Sequence, residues 1–154
     1  MATTRVTQRV RAPRAAVYAA LLDPDAVRWW MAPDGMTSEV HAFEAREGGA
    51  FHITLTYDEP GPAGKTDERT DSFRGRFTRL VPDAEVVQAV AFDTADPTVA
   101  GEMTITYRLA DAADGDGTEV TGIHEDLPPG VDPVDNELGW RMSLGKLAAL
   151  VERS

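Results

Sequence analysis

The sequence predicts an α+β domain in which two short helices and a long C-terminal helix accompany a curved antiparallel sheet of seven strands. Three observations lead there. Residues 3–10 and much of 37–126 alternate apolar and polar side chains with a period of two, as half-buried strands do. Glycine, proline and aspartate divide those stretches at short intervals, which favours a meander of antiparallel neighbours. Beyond residue 132 the apolar period lengthens to three or four, the period of a helix.

Each element has a local cause. In the first strand, Val6, Gln8 and Val10 share one face and Arg5, Thr7 and Arg9 the other. Pro13 suits a first helical turn, where its missing N–H costs nothing, and the alanine-rich run to Leu22 continues that helix. Asp23 caps a second short helix that opens on Pro24 and runs through Val27 to Trp29 and Trp30, ending before Pro33 and Gly35. Six strands follow, at about 38–43, 51–57, 71–80, 85–92, 103–109 and 118–126. Their separators include Gly48 with Gly49, the long 58–68 stretch, and the acidic run 114–117, read as solvated tips. Asp132 and Pro133 then start a helix whose stripe is Trp140, Leu144, Leu147, Ala148 and Val151. One helix of about five turns cannot fill a broad concave sheet face, so a cavity lined by apolar side chains is expected between them.

Composition bounds the function. The 154 residues suit one domain, 1–154, with a sizeable core, and 42% hydrophobic with 27% charged residues excludes a disordered chain. Without cysteine there are no disulfides, thiolate clusters or cysteine nucleophiles. Fifteen basic against 26 acidic residues leave a net charge of −11, which repels nucleic acid and anionic membranes. The opening residues contain no long apolar run, so neither a secretion signal nor a membrane span is expected, and the chain is read as cytoplasmic.

The run from Arg11 to Val17, then Leu22 with Pro24, Arg28 with Trp29 and Trp30, Pro33 with Gly35, and Glu47 with Gly48 and Gly49 form an ordered pattern. Gly75 with Phe77, the run from Gly117 to Thr121, and Gly139 with Trp140, Leu144 and Leu147 extend it over nearly the whole chain. This set resembles the activator of heat-shock-protein ATPase homologue (AHSA-type) family of the START-like, or SRPBCC, superfamily. The resemblance implies the helix-grip fold, with a cavity for a hydrophobic or aromatic small molecule that in some relatives hosts cyclisation or other chemistry. In the eukaryotic co-chaperone this domain follows a separate N-terminal domain that helps it dock. Here the pattern begins within the first dozen residues, which argues against a chaperone partner.

The candidate ligand-binding residues are Trp29, Trp30, Phe51, His124, Trp140 and Leu144. Adjacent helical positions diverge by about 100°, so only one of Trp29 and Trp30 faces inward. Trp140 is either core or cavity wall. His124 shares its strand face with Val120 and Gly122, which makes it either a satisfied structural histidine or a polar group inside an apolar cavity. Arg74 and Arg76 alternate with Phe73, Gly75 and Phe77 and are read as solvated. Gly139 and Gly145, inside the last helix, either let it approach the sheet or leave room for a ligand. The histidines at 41, 52 and 124 have no metal-binding spacing, and no motif calls for a cofactor or supplies a nucleophile with its base.

The reading favours a binding protein and leaves an enzyme open. Its rivals are a cyclase or isomerase in which His124 moves a proton, and a protein-interaction module in which Leu127, Val131 and Val134 either form an apolar patch or pack down. Homodimerisation through a sheet edge or helix is compatible with either.

Overall fold

The structure, a computed structural model, describes residues 2–58, 70–94 and 96–153. The elements are β1 (Ala2–Val10), α1 (Arg14–Leu21), α2 (Pro24–Trp30), β2 (Met36–Phe43), β3 (Ala50–Tyr57), β4 (Thr70–Val81), β5 (Glu85–Phe92), β6 (Met103–Asp111), β7 (Thr118–Leu127) and α3 (Pro133–Glu152). All seven strands form one curved antiparallel sheet in the order β1-β7-β6-β5-β4-β3-β2, so only β1 leaves chain order, returning to pair with the last strand. The expected α+β architecture and its element order are thus observed. Most of the separator at 58–68 lies outside the described residues.

The caps form as the sequence suggests. Asp23 accepts a hydrogen bond from the Asp25 amide and Asp132 one from the Val134 amide, each followed by proline at the first helical position. Gly48 has φ 79°, and a Cβ on Gly49 would strike the Glu44 carbonyl, so this pair is the turn into β3. The concave face carries the core, in which Val6, Val10, Phe51, Ile53, Phe77, Val86, Val120, Leu144, Leu147 and Val151 are buried together with Val17, Leu21 and Val27 of the short helices.

The placement of α3 creates the cavity. It packs chiefly on β1, α1 and α2. Leu144 lies 3.5 Å from the position a Cβ would take on Gly122, so the helix sits close over the β1/β7 side. The inner faces of β3, β4 and β5 are consequently left partly uncovered.

A displaced register on β7 matters for the site. Ala2 pairs with Leu127 but Thr4 with His124, so two residues of β1 span three of β7. Asp126, at φ 62°, falls in that bulge. Bulges bend a strand and re-aim neighbouring side chains, and here the neighbour is His124.

Candidate functional site

The uncovered faces of β3–β5 become one side of a cavity of about 710 Å³. Its wall is built from Leu55 of β3, Phe73 of β4, Val90 and Phe92 of β5, and Met103 and Ile105 of β6. Alternation aims these side chains inward from successive strands. Met31, Met36, Val99, Val131, Leu138 and Met142 add apolar surface from the start of β2, the loops and α3. His124, Asn136, Trp140 and Ser143 supply the polar contrast opposite.

His124 is 7% exposed and carries a hydrogen-bond arrangement that fixes its chemistry. Trp140 Nε1 donates to His124 Nδ1 at 2.9 Å. An indole N–H can only donate, so Nδ1 carries no proton and the neutral ring has its hydrogen on Nε2. Asn136 Nδ2 lies 2.9 Å from the same Nδ1 and is a second donor to it. The asparagine is itself oriented, because Thr4 Oγ1 donates to Asn136 Oδ1 at 2.6 Å and leaves the amide nitrogen to face the imidazole. Three elements, β1, α3 and β7, therefore converge to hold one tautomer.

The Nε2–H so defined is buried and meets no hydrogen-bond partner among the described residues. Burial lowers the His124 pKa to about 3, so the ring is neutral throughout the ordinary pH range. Trp140 packs edge-on against it, with centroids 4.6 Å apart, and against Tyr107 at 5.5 Å. The Tyr107 hydroxyl is also buried and unpartnered among the described residues, and burial pushes its pKa up. The cavity wall thus carries a neutral imidazole whose remaining donor is buried and has no partner among the described residues.

The six sequence candidates separate. His124 and Trp140 line the cavity together. Trp30 is 1% exposed, donates to the Ala20 carbonyl at 3.1 Å and packs edge-on against Tyr107, so it is the inward tryptophan and plugs the core. Trp29 is 42% exposed, with the Lys146 ammonium 4.9 Å and the Arg153 guanidinium 5.3 Å from its ring. Phe51 sits in an aromatic cluster with Phe43, Phe73 and Phe77, and Leu144 is fully buried against the sheet. Neither is part of the cavity wall.

Other open alternatives also resolve. Arg74 and Arg76 are exposed, paired with Asp93 and Glu102. Gly139 lines the cavity, whereas a Cβ on Gly145 would meet nothing within 4 Å, so close approach does not explain that glycine. Leu127 and Val131 pack down, buried at 1% and 5%, so the exposed apolar side chains here are Val134 and the neighbouring Leu138.

Sequence reasoning missed Asn136, Thr4 and the carboxylate of Asp71. Signals for all three existed. Asn136 is one helical turn before Trp140, Thr4 shares the face of Val6, and Asp71 shares the face of Phe73.

Comparison with known proteins now places this architecture. Residues 11–152 match the family described as activator of Hsp90 ATPase homolog 1-like protein. The chain belongs to this family. The crystal structure of a protein from Chromobacterium violaceum has 33% sequence identity and a TM-score of 0.85, covering 97% of this chain and 96% of that one. The AHSA1 protein from Silicibacter pomeroyi is 19% identical with TM-score 0.77, covering 97% of each chain. An AHSA1-like protein from Aeromonas hydrophila is 19% identical with TM-score 0.71, covering 99% of this chain and 93% of that one. No curated protein matches the chain. Among the described residues, no helix is long and apolar enough to cross a membrane, and no three metal-ligating side chains come together.

Proposed function

We propose that this family member binds one small, largely apolar or aromatic molecule in the cavity, oriented by a hydrogen bond from His124 Nε2–H. The observation that carries the reading is a 710 Å³ space lined mostly by apolar side chains, with His124 in its wall and the buried His124 Nε2–H without a partner among the described residues. The volume falls within the range of small-molecule sites, and a ligand acceptor would remove the cost of leaving a donor unpaired, about 1–3 kcal/mol. Binding is favoured over proton-transfer catalysis, because a general acid or base works best with a pKa near the operating pH and His124 is held at about 3. The family's name points to a chaperone ATPase, but the side chains expected to form an interaction patch are mostly folded inward.

The test is a matched pair of probes, valerophenone and pentylbenzene, which differ in a carbonyl oxygen. Titrated against tryptophan fluorescence, the ketone should bind about tenfold tighter, the worth of one satisfied donor. His124→Phe should abolish that preference, while His124→Gln, which retains an N–H, should keep part of it. Absence of binding by both probes near their solubility limits would refute the proposal.

A further inference from the structure

We infer that the cavity selects its ligand by charge, taking an apolar molecule with a hydrogen-bond acceptor for His124 and a protonated amine at the rim, and refusing carboxylates and phosphates. The inference rests on the binding role just proposed and narrows it.

Two independent observations support it. The first is His124 itself, a cavity-lining residue 7% exposed, whose buried Nε2–H has no partner among the described residues and asks for an acceptor whatever the ligand's charge. The second is the sign of the surrounding charge. Asp34 before β2, Asp96 after β5, and Asp132 and Asp135 at the start of α3 come from three separate stretches and all line this one cavity. All four are exposed, which places them at the mouth rather than in the apolar interior. No lysine or arginine is present among the described lining residues.

The competing effects are smaller. The N-terminus of α3 carries about half a positive charge, which alone would attract an anion. Asp132 and Asp135 stand in its cap and first turn with two negative charges and reverse the sign. Lys146 donates to the Ala32 carbonyl and lies over Trp29, outside the lining. The net charge of −11 adds a long-range potential of the same sign as the rim. An anionic head would be pushed out of this mouth, and an ammonium would find several carboxylates in reach.

The experiment uses three aryl ketones with the same body and different ends, namely γ-dimethylaminobutyrophenone, valerophenone and γ-benzoylbutyrate, titrated into the full chain by calorimetry. The amine should bind tightest and the carboxylate weakest, with about a tenfold or larger ratio between them at low salt, since several rim charges each contribute modestly. That ratio should collapse to about twofold near 1 M salt, where exposed charges are screened beyond about 3 Å. In the double variant Asp34→Asn with Asp135→Asn the low-salt ratio should fall severalfold. Valerophenone binding with equal affinities for the amine and the carboxylate, or tighter binding of the carboxylate, overturns the charge inference and leaves the cavity reading intact. Failure of all three to bind overturns both.

Discussion

Replacing His124 with glutamine exchanges a buried titrating ring for an amide that stays neutral at every pH and can still accept from Trp140 and Asn136. In the folded chain burial lowers the His124 pKa to about 3 from the ordinary 6.5. Between those values the unfolded chain takes up a proton that the folded chain does not. Stability from this group is therefore complete above 6.5 and is lost as the pH falls towards the folded value. At about pH 5, the loss is roughly 1.36 kcal/mol for each of the 1.5 units below the unfolded pKa, or about 2 kcal/mol. The figure is insensitive to the folded pKa, provided that it lies well below 5. Urea unfolding of both proteins at pH 7 and pH 5 measures it, because carboxylates such as Asp96 and Asp114 titrate in both and cancel in the difference. Wild type should lose about 2 kcal/mol more than His124→Gln. Equal pH dependence in the two proteins would refute a buried, neutral imidazole at this position.

Other perturbations address different parts of the structure. Long-range 15N–1H correlation spectra should assign the His124 hydrogen to Nε2, and Asn136→Leu, which strands Thr4 Oγ1 and removes one donor to Nδ1, should cost about 1–3 kcal/mol in the same urea assay. Gly75→Ala would drive a Cβ into the Ala89 carbonyl and to 2.6 Å from the Phe51 ring, so thermal unfolding should show several kcal/mol of destabilisation or no soluble protein. Trp29→Ala should cost only about 1 kcal/mol, the value of exposed cation–π contacts, against at least 3 kcal/mol for Trp30→Ala in the core.

How far the sequence could be read depended on the dimension in question. Strand and helix order followed from periodicity, because each inner face had to be apolar to be buried. Alternation assigns a residue to a face but gives no depth along it. Trp140 and Leu144 lie one turn apart on the same stripe, yet the first lines the cavity and the second meets β7 at Gly122. Phe51 lies on the inner face like Leu55, yet it stands opposite Gly75, where the missing side chain admits its ring into the core. For the tryptophan pair, helical geometry required divergence but left its direction to the packing of Tyr107 against one indole. The imidazole's tautomer depended on Thr4 and Asn136, 132 residues apart, and no local pattern records such a contact.

The off-centre seat of α3 gives this scaffold a division of labour. The strands that meet the helix, β1 by packing and β7 through Gly122 and His124, are largely different from those that shape the hole, β3 to β6. Exchanging Leu55, Phe73, Val90 or Met103 for larger or smaller side chains would resize the hole while leaving the β1/β7 seat of α3 in place. The size and lining of that space can thus change without disturbing the packing that holds the fold together.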